Sequence, residues 1–408
     1  MEDMNILLDF LTFKYPTGAG EYARRVYTAL LHEIKTSDSE AYKIYALYDS
    51  KDGIAYEDMQ KGAEFTKGIT YIDMQERNIL QAVETYRIDL LFIGCAQYFE
   101  GHGELSEVKC KTICVVHDLS PEILYSNCIG YYLKLINPKY QLNDLSLSGR
   151  KYLTNTLKLI KWFFMVRKNR TMEKDLQRIK PMLGLLVKNK QTQIVTVSEY
   201  TRKTLQYLYG VEPQMVKVLY SPERIFANPT TNIENEELAE LIHSKKKYYL
   251  MLSANRSAKN PEKAVSAFKR FAQIDNDAHF LAVGYPRKEF DRMHNPSYLN
   301  DSDLAQALEH CYVLVYPSLF EGFGYPPIEA MHYGKPVLAS NVTSIPEIFE
   351  DAPIYFSPLY ELEIFNALTK LTDENYQEKA NKSKQQYNKI RARQERDLKE
   401  LVNMILDK

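Results

Sequence analysis

Short apolar runs rich in β-branched and aromatic residues recur along the chain at Asn5–Phe10, Tyr42–Leu47, Ile69–Ile72, Leu90–Ile93, Thr112–Val116, Ile194–Val197 and Val216–Tyr220. A second series follows at Lys247–Leu252, His279–Gly284, Tyr312–Tyr316, Pro336–Ser340 and Ile354–Phe356. Between them the pattern changes to helical spacing, from about Tyr22 to Ile34, over Asn78–Tyr86, Ser198–Tyr209 and Glu234–Ile242, from Pro261 onward, and over Asp301–Glu309, Ile328–Tyr333, Leu359–Thr369 and about Glu374–Leu406. Strands alternating with helices predict parallel sheets in an α/β protein. The polar stretch Ser221–Ser244 separates the two series and is the candidate linker.

In open parallel sheets ligands bind outside the carboxyl ends of the strands, so residues that follow a strand directly are the candidates for chemistry. His117 follows Thr112–Val116, and Arg256 and Lys259 follow Lys247–Leu252 just before Pro261 starts a helix. Arg is a fork donor and Lys a point charge, which suits a diphosphate. Gly284-Tyr285 closes the next strand, where a nucleobase could stack. Tyr316–Ser340 then combines a strand, the glycines Gly322 and Gly324, the prolines Pro326 and Pro327, and a helix expected from Ile328. A helix start offers N–H groups to an anion. Glu321 and Glu329 bracket this loop, and carboxylates, being acceptors only, fit sugar hydroxyls better than phosphate. Together these point to a nucleotide-sugar site. Gly18 and Gly20, after the first strand, leave two readings open: a tight turn into a helix, or backbone N–H groups near a diphosphate or acceptor.

The 408 residues fit two domains of about 200 residues each. Hydrophobic content of 45% and charged content of 26% are those of a globular protein, and a net charge of -1 carries no overall nucleic-acid footprint. Charge is unevenly spread, however, because residues 131–190 hold 14 Lys/Arg against 3 Asp/Glu. Within 150–170 Leu153, Leu157, Ile160 and Phe164 share one helical face, with Lys151, Lys158, Lys161 and Lys168 around another, which fits either a packed domain helix or a peripheral contact in which Lys158, Lys161, Arg167 and Lys168 meet an anionic membrane surface. Cys95, Cys110, Cys114, Cys128 and Cys311 form no C-x-x-C pair and are expected as buried thiols. Without a signal-peptide pattern or an apolar run of membrane-spanning length, the expected location is the cytoplasm, with the inner face of the membrane as the alternative.

Ser318-Leu-Phe-Glu321-Gly-Phe-Gly-Tyr-Pro-Pro-Ile-Glu329-Ala-Met, with Gly334–Ser340 and Ser344-Ile-Pro-Glu347 after it, resembles the signature of retaining GT-B glycosyltransferases of family 4. Asn255-Arg256 to Lys259-Asn260 resembles their phosphate loop, and His117-Asp118 and Val197-Ser198 their N-terminal landmarks. The resemblance implies a GT-B fold of two Rossmann-like doubly wound domains, here 1–225 and 245–385, with a last helix, 386–408, crossing back to the first. It implies transfer of a sugar from a nucleoside-diphosphate sugar, UDP or GDP first, to a saccharide or lipid-linked saccharide acceptor. By the same resemblance His117, Arg256, Lys259 and Glu321 are catalytic, and Gly18, Gly20, Gly284, Phe323, Gly324, Tyr325 and Glu329 bind the donor. No metal and no cofactor are expected, since Arg256 and Lys259 can take the part of a divalent cation. A hydrolysing epimerase or a non-catalytic nucleotide- or glycan-binding protein are the other readings.

Overall fold

The computed structural model describes residues 4–14, 18–36, 41–51, 68–99, 105–119, 189–224 and 232–407. The basic segment 150–170 and Cys128 lie outside them. The described residues form two units, one of residues up to Leu119, residues 189–224 and those from Arg391 onward, the other of residues 232–390.

In the first unit β1 (Met4–Asp9), β2 (Tyr42–Tyr48), β3 (Ile69–Asp73), β4 (Leu90–Ile93), β5 (Lys111–Val116), β6 (Thr192–Thr196) and β7 (Val216–Val218) make one parallel sheet in the order β3-β2-β1-β4-β5-β6-β7. α1 (Gly18–Thr36), α2 (Ile79–Thr85) and α3 (Glu199–Tyr209) lie between strands. Asn78 and Gln81 form a capping box at α2, and the Ser198 side chain accepts from Thr201 N at α3, so two of these starts follow from local sequence.

The second unit adds α4 (Glu236–His243), β8 (Lys247–Met251), α5 (Pro261–Phe271), β9 (Ala278–Ala282), β10 (Met293–His294), α6 (Asp301–His310), β11 (Val313–Tyr316), α7 (Tyr325–His332), β12 (Val337–Ser340), α8 (Ile345–Phe349), β13 (Ile354–Phe356), α9 (Glu361–Lys370) and the part of α10 (Asp373–Ile405) before Arg391. Its parallel sheet runs β10-β9-β8-β11-β12-β13. Every residue of β4, β11 and β12 is buried, as expected of parallel strands covered on both faces. The order reverses direction between β8 and β11, which makes the crevice past their carboxyl ends the place for a ligand.

Aromatic packing joins α5 to β8 and β9. Phe268 stacks on Phe280 of β9 with centroids 4.6 Å apart, and Tyr249 of β8 meets Phe268 and Phe271 edge-on at 5.1 and 5.4 Å. At the far end of α10, in the first unit, buried Asp397 accepts from Tyr220 N at 2.9 Å between Arg393 and Arg396, and Gln394 donates to Ser221 O at 2.6 Å. Cys95, Cys110, Cys114 and Cys311 are all buried and unbridged. Burial pushes the Cys110 thiol up to about 11 and Cys311 to about 12, with Cys114 raised further. Among the described residues no helix is long and apolar enough to cross a membrane. Phe268→Ala removes the centre of the aromatic cluster, and urea unfolding of the variant is expected to show a loss of about 3–5 kcal/mol.

Candidate active site

After β8 the chain makes two left-handed steps, at Ser253 (φ 55°) and Asn260 (φ 56°), around a short 3-10 turn, Ser257–Lys259. Asn tolerates this backbone, and the Asn260 side chain ties it down by donating to Pro358 O at 2.8 Å. The turn leaves Arg256 exposed and carries Lys259 inward. There the Lys259 ammonium forms an ion pair with Glu321 Oε1, donates to the Tyr316 hydroxyl at 3.1 Å and lies 4.8 Å from that ring's centre. The Lys259 and Glu321 side chains are only 11% and 13% exposed. Burial, and next the charge of Glu321, hold the Tyr316 phenol well above its ordinary pKa.

The loop bearing Glu321 is fixed at three points. Leu319 N donates to Ala258 O at 2.9 Å, joining the loops after β8 and β11 across the switch point. Glu321 N donates to Thr343 Oγ1 at 3.1 Å, and Ser344 Oγ donates to Glu321 O at 2.9 Å. Gly324, at φ 106°, then turns the chain into α7. Phe323 is buried with its ring 5.8 Å from Tyr325, and Glu329 is buried inside α7. Gly284 takes φ 88°, and a Cβ there would stand 3.3 Å from Asn255. The structure thus brings Arg256, Lys259, Gly284, Glu321, Phe323, Gly324, Tyr325 and Glu329 together at the carboxyl edge of one sheet and its following helix.

Two expectations need correction. α7 begins at Tyr325 rather than Ile328, with Pro326 and Pro327 inside its first turn, where a missing N–H costs nothing. The same prolines remove donors, so this helix start offers an anion far fewer N–H groups than expected. Gly18 and Gly20 both belong to the first turn of α1.

In the first unit His117 stands directly past β5. Its Nε2 lies 3.0 Å from Gly94 O, and since a carbonyl only accepts, the ring proton is on Nε2 and Nδ1 is the acceptor of the neutral ring. The Tyr22 ring packs edge-on at 4.7 Å, Thr201 Oγ1 donates to His117 O at 3.2 Å, and burial pushes the imidazole pKa down.

Tyr316 and Thr343 are the site residues that sequence reasoning missed, while Ser344 stood in the Ser344-Ile-Pro-Glu347 motif without a role. Tyr316 looked like the end of a strand. Nothing local marked Thr343, which lies in the loop before α8.

Two measurements check this geometry. Lys259→Met or Glu321→Gln alone leaves its partner buried without a counter-charge and is expected to cost about 3 kcal/mol, while the Lys259→Met/Glu321→Leu double variant recovers most of it in thermal unfolding. For His117, an unfolded chain takes up a proton below about pH 6.5 while the folded ring stays neutral, so stability is full above that pH and falls as pH drops towards the lowered value. His117→Gln, which keeps the donor to Gly94, should remove that part of the pH dependence.

Residues 232–388 match the family Glycosyl transferases group 1. The serotype-specific mannosyltransferase WbdA of Escherichia coli is 27% identical over 310 residues, covering 72% of this chain and 34% of its own length, so the chain spans about a third of that relative. Among solved structures, the sucrose-phosphate synthase of Thermosynechococcus elongatus superposes with a TM-score of 0.63 at 14% identity, covering 99% of this chain and 98% of its own. Anabaena HepE in complex with UDP-glucose gives a TM-score of 0.60 at 14% identity, with 99% and 98% covered. The likeness to these solved structures shows the GT-B fold, and residues 232–388 carry the match to glycosyl transferases group 1.

Proposed function

We propose that the chain moves a hexosyl residue, with retention at the anomeric carbon, from a nucleoside-diphosphate sugar to a saccharide or lipid-linked saccharide acceptor during cell-surface polysaccharide assembly. The observation that carries this reading is the buried Lys259–Glu321 pair on Tyr316, set at the switch point of a group 1 domain beside the exposed Arg256. An ammonium has three donors, and Glu321 and Tyr316 engage two, so Lys259 keeps one direction for the diphosphate while Arg256 supplies a planar fork. These cations stabilise the charge that develops on the leaving phosphate, the part a divalent metal plays in other enzymes. Glu321 accepts from hydroxyls of the transferred sugar and Glu329 from the ribose. The bond from C1 to the phosphate oxygen breaks, the bond from C1 to the acceptor oxygen forms on the same face, and the acceptor's proton passes to the leaving phosphate.

GDP-mannose and UDP-glucose are the donors to try first, because WbdA is named as a mannosyltransferase and HepE was solved with UDP-glucose. Incubation with each, with and without lipid-linked saccharide and with EDTA, is expected to give product only with acceptor, undiminished by the chelator, and with the donor's anomeric configuration by proton NMR. Glu321→Ala and Lys259→Ala should each slow transfer by about 100-fold or more. Free sugar released without acceptor would indicate the hydrolysing reaction instead. Binding without turnover would leave a binding protein.

A further inference from the structure

Thr343 has a β-branched side chain on left-handed backbone, φ 54°, where such residues are rare and a glycine would rest without strain. Strain of this kind persists where the surroundings over-determine it, and here they are specific. The Thr343 hydroxyl accepts from Glu321 N at 3.1 Å, and the next residue, buried Ser344, donates through its hydroxyl to Glu321 O at 2.9 Å. The left-handed step at 343 sets two successive hydroxyls on the two polar groups of one distant residue. Ile345 N closes the turn on Val342 O at 3.1 Å, and Ile348 N donates to Ser344 O at 3.0 Å, so the clamp is built into the start of α8.

We infer that Thr343 and Ser344 are positioning residues for Glu321. They fix its backbone from both sides, leaving only side-chain torsions between that anchor and the carboxylate that meets Lys259. Neither touches the ion pair, and both act through Glu321. The inference rests on the proposed role of Glu321 in holding the transferred sugar.

That role gives the test a direction that a merely structural one lacks. Thr343→Gly relieves the strained backbone while removing the acceptor for Glu321 N. Its thermal midpoint is expected at or above that of the unsubstituted protein, while kcat/KM with the best donor falls about tenfold, the loss of one hydrogen bond's worth of positioning. Calorimetry should show affinity for GDP or UDP alone unchanged and affinity for the matching nucleotide sugar reduced. Thr343→Ser keeps the hydroxyl and should keep the activity. Ser344→Ala should resemble Thr343→Gly in activity, and if it does not fold, Thr343→Gly decides. Full activity in Thr343→Gly, or equal weakening of nucleotide and nucleotide sugar together with a lowered midpoint, overturns the inference. If the unsubstituted protein binds neither nucleotide nor nucleotide sugar, the reading of the site itself falls and the positioning role goes with it.

Discussion

A lysine and a glutamate nearly enclosed against one phenol constrain everything around them. Neither charge tolerates burial alone, so Lys259, Glu321 and Tyr316 keep their places only if three separate pieces of chain arrive in register: the turn after β8, the end of β11 and the loop leading to α7. Each piece is held by its own device. Asn260 pins the first to Pro358, β11 is fixed by its neighbours β8 and β12, and Leu319, Thr343 and Ser344 anchor the third. The ion pair is thus less a source of stability than a condition that the fold must satisfy, and satisfying it places a cation and a carboxylate side by side at the mouth of a crevice.

Parallel strands make this arrangement available. Because every strand of the second sheet points the same way, the turns after β8, β9, β11 and β12 emerge on one edge, and the reversal of order between β8 and β11 opens that edge to a ligand. The first unit repeats the plan, with His117 past β5 and its ring proton directed at Gly94, which follows β4.

Much of this was legible in the sequence because parallel strands are buried on both faces and so appear as continuous apolar runs; Leu90–Ile93 and Tyr312–Tyr316 needed no alternation to be recognised. Arg256, Lys259, Glu321 and Glu329 were legible as residue types placed after strands and around a glycine loop. What escaped was pairing over distance. Lys259 and Glu321 stand 62 positions apart, and spacing along the chain says nothing of a bond between them. Thr343 escaped for a different reason, since its residue type argues against the backbone it adopts, and only tertiary hydrogen bonds favour it. α7 starts earlier than its pattern suggests because Pro326 and Pro327, residue types that also punctuate loops, pre-set its first turn.

The buried cysteines have a consequence of their own. A thiol reacts with an alkylating reagent as thiolate, and Cys110, Cys114 and Cys311 combine burial with raised pKa values, so in the folded chain they are doubly protected. Among the described residues Cys95, Cys110 and Cys114 belong to the first unit and Cys311 to the second. Each unit therefore carries its own built-in reporter of opening, and the order in which these sulfurs become modifiable tells which half of the molecule loosens first.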